Sequence, residues 1–242
     1  MTESSATTPA AEPTRILVIA AHPDDPEFGA GGTTGAWTQQ GREVHYLLCT
    51  RGDKGTDDPS LQSEDLMQLR EQEQRAAAAV LAVREVTFLN FRDGELAPTL
   101  DLRGQIVYAI RRVRPDIVIT HDPATIYGTE FINHPDHRAV GTATLDAVYP
   151  TARDRLQYPE QLAQGLSVHK VKEVYMWGSL DPNAFVDIGS SFDLKMAALR
   201  KHASQVKSAE GLVERMRERA RQIGEPQGIA LAEGFRRVVL AR

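Results

Sequence analysis

Cysteine is nearly absent from this chain of 242 residues; Cys49 is the only one. A lone thiol excludes an intrachain disulfide and a multi-cysteine zinc site, so any metal here must be held by His, Asp or Glu. An excess of basic residues is also missing, with 28 Lys plus Arg against 33 Asp plus Glu and a formal net charge of −5. Binding driven by phosphate neutralisation usually takes a basic surface, so no nucleic-acid partner is expected. No stretch reaches the roughly 18 consecutive apolar residues of a spanning helix, so no membrane partner is expected either. Residues 1–14 lack the positive start and apolar run of a secretory signal and read as a disordered leader on a cytoplasmic protein. What is present, 41% hydrophobic and 25% charged residues, suits a globular chain that buries a core. Residues 15–242 show no repeat or linker and read as a single domain.

Ile16, Leu17, Val18, Ile19 and Ala20 form a continuous apolar run too short for a helix, as in a parallel strand buried on both faces. Residues 44–49, 86–91 and 117–120 repeat the pattern. Helical patterns lie between them over residues 33–40 and 64–81, and where Leu102, Ile106, Ala109, Ile110 and Val113 share one face. A helix is expected from Asp136 to about Val148, then a mostly irregular stretch over residues 149–170. Strands at 172–177 and 184–188 and helices at 191–205 and 212–223 complete the chain. This alternation predicts an α/β fold: a Rossmann-like, doubly wound, mostly parallel sheet with C-terminal strands and helices. In such sheets, ligands bind in the loops beyond the carboxyl ends of the strands.

The first strand runs directly into Ala21-His22-Pro23-Asp24-Asp25. Pro and Asp are ordinary turn residues, so this group alone also reads as a plain turn. A second group, Asn133-His134-Pro135-Asp136-His137, follows the fourth strand and precedes a helix, with Pro135 suited to the first helical position. His134 and His137 are three apart, so both imidazoles lie on one side of that first turn. Two His and one carboxylate form the usual open catalytic zinc site, with a fourth position for water. The same donors hold Fe(II) in oxygenases, so Zn²⁺ and Fe²⁺ both suit the set.

These two groups, with Thr50-Arg51-Gly52-Asp53-Lys54-Gly55 and Phe91-Arg92-Asp93-Gly94, resemble the LmbE-like, or PIG-L-type, family of metal-dependent N-acetylglucosaminyl deacetylases over roughly residues 15–145. The resemblance implies His22, Asp25 and His137 as metal ligands, Asp24 as general base and His134 facing the developing oxyanion. It also implies zinc-dependent hydrolysis of the N-acetyl group of a GlcNAc-containing small molecule, an acetamido sugar. An amidase acting on a larger sugar–thiol conjugate, a non-haem Fe(II) oxygenase and a nonenzymatic sugar-binding protein stay open beside it. In the hydrolytic reading, a carboxylate next to the ligand takes a proton and later delivers it to the leaving amine. A protonated His134 would stabilise the negative charge that builds on the carbonyl oxygen.

Several residues carry two readings. Asp136 either accepts a ring N–H and fixes a tautomer, or is a carboxylate favoured by the helix dipole. Arg70 and Glu73 share a stripe with Leu66, Ala77 and Val80, where an inward ion pair would brace the sheet. The resemblance instead takes Arg70 to the substrate, with Asp93 on sugar hydroxyls; Asp93-Gly94 also reads as a tight turn. His121 ends the fourth strand and reads as a neighbour of the ligands rather than a ligand, while His45, His169 and His202 lack partners at ligand spacing. Gly29, Gly31 and Gly32 read as a close turn leading into the helix. Charges in residues 51–59 read mostly as solvated, in a loop suited to closing over substrate. Residues 149–170 suit a cover or an interface in a homo-oligomer. Two departures from the family pattern stand out. Pro26 precedes Glu27 where many members have Glu at once, and Ile132 stands where some members have Tyr, with Tyr127 in the same loop.

Overall fold

The computed structural model describes residues 13–206 and 211–241; all but the last two residues of the expected leader lie outside them. The first half alternates β1 (Arg15–Ala20), α1 (Asp25–Gln39), β2 (Glu43–Thr50), α2 (Ser63–Val80), β3 (Glu85–Phe91), α3 (Leu100–Val113), β4 (Ile117–His121) and α4 (Pro135–Val148). The second half holds α5 (Pro159–Ala163), β5 (Glu173–Trp177), β6 (Ala184–Asp187), α6 (Phe192–Leu199), α7 (Leu212–Gly224) and β7 (Ala232–Val239). All seven strands form one sheet in the order β3-β2-β1-β4-β5-β7-β6. The five strands from β3 to β5 are parallel, and β7 runs antiparallel between β5 and β6. The expected α/β architecture is therefore what the chain adopts.

The continuous apolar strands are explained by what covers them. Leu17 and Ile19 of β1 pack with Leu102, Ile106 and Ile110 of α3 and Val140 of α4 on one face. Ile16 and Val18 pack on the other with Ala30 and Trp37 of α1 and Ala78 of α2. Both faces of the strand are dry, so neither set of alternating positions is polar. Each fully buried Leu or Ile contributes about 1.5–3 kcal/mol of transfer free energy. Chain direction across the sheet reverses at β1: β2 and β3 lie on one side of it, β4 and β5 on the other. The loops after β1 and β4 part there, opening the crevice in which doubly wound sheets bind ligands.

Four expectations change. α1 begins at Asp25 rather than at residue 33, so the glycines lie inside it, with a kink at Ala30 (φ −145°). A Cβ on Gly29 would stand 2.6 Å from the Trp177 ring and one on Gly32 2.8 Å from Ile188, so close packing rather than turning requires glycine there. β7 has no counterpart in the sequence reading, because Glu233, Arg236 and Arg237 interrupt its apolar pattern. The helix expected over 191–205 stops at Leu199, and the next residues turn so that His202 is fully buried. Residues 149–170 carry a single 3₁₀ turn (Thr151–Arg153) and α5, and they wrap the buried Arg111 of α3. Its guanidinium donates to the carbonyls of Ala152, Tyr158, Thr151, Asp154 and Gln157. None of these residues lines either cavity beside the His-Pro-Asp turns, so the segment is not a cover over them.

Candidate metal centre

The first His-Pro-Asp turn is pinned by its neighbours in the sheet. Ala21 N–H donates to His121 Nε2 at the end of β4 (3.1 Å), and Ala21 O accepts Thr50 N–H and Oγ1–H from the end of β2 (2.9 Å each). His22 N–H donates to Asp25 Oδ2 (2.7 Å) as α1 begins. Its N-cap, Asp24, has φ 94°. A non-glycine residue with positive φ is strained and persists only where its surroundings hold it. The second turn enters α4 with Pro135 in its first turn, and the His134 Nδ1 N-cap accepts the Asp136 N–H (3.2 Å).

Asp25 bridges the two turns. One carboxylate oxygen, Oδ2, lies 3.3 Å from His22 Nδ1, and the other, Oδ1, lies 3.1 Å from His137 Nε2. The far ring nitrogens are already taken: His22 Nε2–H donates to Asp136 Oδ2 (3.1 Å) and His137 Nδ1–H to Asn133 Oδ1 (3.2 Å). Those bonds aim His22 Nδ1 and His137 Nε2 at Asp25, as outer hydrogen bonds orient metal-ligating histidines. Three overlapping groups have potential ligand atoms within 4.8 Å: His22 with His134 and His137, Asp25 with His121 and His137, and His22 with Asp93 and Asp136. Asp136 is fully buried and also accepts the N–H groups of Gly94 (2.7 Å) and Leu96 (3.2 Å), so its oxygens are occupied. His121 stacks on His137, with ring centroids 4.1 Å apart and planes at 18°.

The local charge balance is short of cations. Burial pulls His22 toward neutrality, but the Asp136, Asp25 and Asp93 carboxylates outweigh it and raise its pKa well above the ordinary value. Burial alone would raise the Asp25 carboxyl, yet the facing His137 imidazole holds it well below its usual range. Burial pushes His121 down to about 4, so it is neutral, consistent with its Nε2 accepting the Ala21 N–H. Burial and the Asp25 charge raise Asp24 to about 7, against the opposing pull of Arg70. Carboxylates converging on two oriented imidazoles fit a divalent cation: it would supply the positive charge that His22 otherwise draws from a proton.

Beside this cluster, His22, Asp24, Arg70, Asp93 and His134 line a cavity of about 400 Å³ with Lys54, Gly55 and Gly94. Arg70 is buried there. Its Nη2 donates to Pro23 O (2.6 Å) and lies 3.5 Å from Asp24 Oδ2, and its Nη1 lies 3.9 Å from Asp93 Oδ2. Glu73 does not pair with Arg70 as an inward ion pair would require; it accepts the Ser204 N–H and Oγ–H (2.8 and 2.6 Å). Gly52 (φ +67°) admits the guanidinium, since a Cβ would meet Nη1 at 2.3 Å. Asp93 Oδ1 lies 3.1 Å from His22 Nε2, so one side of its carboxylate is turned to the cluster. Burial and the His22 charge lower the His134 pKa. Its Nδ1 accepts the Asp136 N–H, which leaves Nε2 as the ring nitrogen able to donate.

Other expectations divide. Asp53 is not a solvated charge: it is buried and its Oδ1 accepts Asp93 N–H (2.8 Å). His45 pairs with Glu43 and His169 with the Pro115 carbonyl, away from the cluster. Tyr127 bridges Ile132 across a narrow loop, and both are exposed. Sequence reading missed Gln74, which donates to Glu27 (2.9 Å) and accepts the Asp24 N–H (2.9 Å). The signal was its place four residues after Arg70 on α2.

The family model described as PIG-L, GlcNAc-PI de-N-acetylase, matches residues 17–148. Diacetylchitobiose deacetylase of Thermococcus kodakarensis is 37% identical over 191 residues, covering 79% of this chain and 70% of that protein. The 1D-myo-inositol 2-acetamido-2-deoxy-α-D-glucopyranoside deacetylase of Rhodococcus jostii is 29% identical over 249 residues, covering 79% of this chain and 82% of that protein. Among solved structures, N,N′-diacetylchitobiose deacetylase from Pyrococcus horikoshii, complexed with its inhibitor MPG, superposes with a TM-score of 0.85 at 31% identity. That match covers 93% of this chain and 84% of the other. With both His-Pro-Asp turns inside the matched segment, the chain belongs to the PIG-L, or LmbE-like, family of de-N-acetylases.

Proposed function

We propose that this protein is a metal-dependent hydrolase that removes the N-acetyl group from a GlcNAc-containing small molecule, releasing acetate and a free amine. The observation that carries the reading is Asp25 set between His22 Nδ1 and His137 Nε2, with Asp24, His134, Arg70 and Asp93 lining the adjoining cavity. The relatives' names supply the substrate class: acetamido sugars in the Thermococcus and Rhodococcus proteins alike. Membership of a deacetylase family sets aside the oxygenase and binding-protein readings.

His22, Asp25 and His137 would hold Zn²⁺, with Fe²⁺ the alternative that the same donors suit. When bound, the ion supplies Lewis acidity that acidifies water and polarises the amide carbonyl. Asp24 takes a proton from the attacking water and returns it to the departing nitrogen; a pKa of about 7 suits both transfers. His134, with Nδ1 engaged by the Asp136 N–H, donates its Nε2–H toward the negative charge growing on the carbonyl oxygen. Arg70 keeps Asp24 in place through Pro23 O and gives a cationic wall to the cavity. Asp93 offers its remaining acceptor capacity to sugar hydroxyls.

A second cavity of about 420 Å³ touches Asp25 and His137 and is walled by Phe28, Phe131, Trp177, Leu180 and Arg219. Its size favours room for an amide larger than acetamide, as in a sugar–thiol conjugate amidase. One experiment tests both readings: metal analysis with amine release from a panel of N-acetylglucosaminyl compounds and their bulkier N-acyl analogues. Release from the acetyl compounds supports deacetylation, and preference for the bulky amides supports the second reading. No amine from any compound with metal-loaded protein sinks both.

A further inference from the structure

We infer that Gln74, Glu27 and His202 form a buried positioning chain that holds Asp24 in its left-handed conformation, so that the C-terminal part of the protein sets the reactivity of the proposed base. The inference rests on the reading of Asp24 as that base. Its starting point is the backbone of Asp24, whose φ of 94° is the largest positive value among the non-glycine residues described. Such a backbone relaxes unless something grips it.

The grip is on the peptide joining Pro23 to Asp24. Arg70 Nη2–H donates to its carbonyl, Pro23 O (2.6 Å), and Gln74 Oε1 accepts its N–H (2.9 Å). Both side chains come from one face of α2, four residues apart, so one rigid helix holds the two ends of one peptide. Gln74 has a single amide orientation that serves: the oxygen toward Asp24 N–H and the nitrogen toward Glu27 Oε1 (2.9 Å). Glu27 in turn faces His202 Nε2 with Oε2 (3.0 Å). The side chains of Glu27 and His202 are fully buried, and Gln74 as a residue is too. The Gln74–Glu27 and Glu27–His202 bonds are buried, and the orientation of each member fixes the next. His202 also places the neighbouring chain: Gln205 N–H and Val206 N–H donate to its carbonyl (3.0 and 2.8 Å), and Gln205 Nε2 reaches Gly55 O on the cavity wall (2.9 Å). Glu27 is thus more than an acidic residue displaced by Pro26, and His202 is more than a packed histidine. They connect α1, α2 and the segment after α6 to a single strained peptide.

None of the three touches the cavity, so each acts through Asp24 rather than on substrate. The test uses full-length, metal-loaded protein with Gln74→Met, which keeps length and removes both hydrogen bonds. The expected result is a fall in kcat of about 100-fold, with KM and metal stoichiometry at wild-type values. His202→Leu should follow Gln74→Met, and His202→Gln, which keeps an N–H toward Glu27, should restore most of kcat. That pair of variants decides the matter should Gln74→Met not fold. Wild-type kcat in Gln74→Met, a loss of metal that accompanies the loss of kcat, or equal kcat in His202→Leu and His202→Gln overturns the inference. A crystal structure of Gln74→Met gives a readout independent of turnover. Asp24 leaving the left-handed region supports the chain, and Asp24 unmoved overturns it. The failure of the base assignment shows elsewhere, as unchanged kcat in Asp24→Asn.

Discussion

Two turns of nearly the same composition, His22-Pro23-Asp24-Asp25 and His134-Pro135-Asp136-His137, sit at equivalent places and treat their third residue in opposite ways. Asp24 is the N-cap of α1, strained, lining the cavity, with a pKa raised to about 7 by burial and the Asp25 charge. Asp136 lies in the first turn of α4 with no exposed surface, and its pKa is lowered by the His22, Gly94 and Leu96 N–H groups against the pull of burial. One aspartate lines the cavity, where the proposed proton transfers would take place; the other is a buried carboxylate that accepts the His22 Nε2–H. The difference lies in their partners. Asp24 has a neighbouring carboxylate, whereas Asp136 has three donors.

The comparison breaks most visibly at Asp24. Asp24→Asn should lower kcat by about 1,000-fold or more while the protein keeps its metal, measured by amine release beside metal analysis. A wild-type rate in the metal-loaded variant would remove Asp24 from the chemistry. His134→Ala removes the Nε2–H donor and is expected to lower kcat by about 100-fold, with smaller effects on metal content. Asp136→Ala should act on binding rather than on rate: metal affinity falls about 10- to 100-fold as the His22 tautomer is released. The orphaned Gly94 and Leu96 N–H groups should cost about 1–3 kcal/mol each in denaturant unfolding. Unchanged metal affinity there would leave Asp136 as a helix-start carboxylate only. The smallest effect belongs to Pro135→Ala. It frees only a residue at the helix start and should cost about 0.4–1 kcal/mol of stability without changing kcat.

The core of the fold was legible because its strands are apolar on both faces and its helices are long and periodic. Legibility ended at β7, where Glu233 and the half-buried Arg236 and Arg237 interrupt the apolar pattern, and at α1, whose glycines look like a turn until Trp177 and Ile188 are seen against them. Of the candidate centre, both His-Pro-Asp motifs were visible as spacing and composition, while His22, Asp25 and His137 as ligands came only with the family resemblance. Gln74 and the pairing of Glu27 with His202 were not: these residues are 47 and 175 positions from their partners, and no local pattern reports a contact of that separation.

Sequence alone limited the donor types: one cysteine leaves His and carboxylate for any metal, and two His-Pro-Asp groups each follow a strand. It determined the alternation of strand and helix as well, since periodicity is a local property of the chain. Only the tertiary structure decided which nitrogen of His22 and of His137 faces Asp25, which aspartate is strained and which is buried among donors, and that His134 Nδ1 is taken by the Asp136 N–H. Tautomers, strain and pKa values depend on burial and on partners, and those come from parts of the chain that meet only on folding.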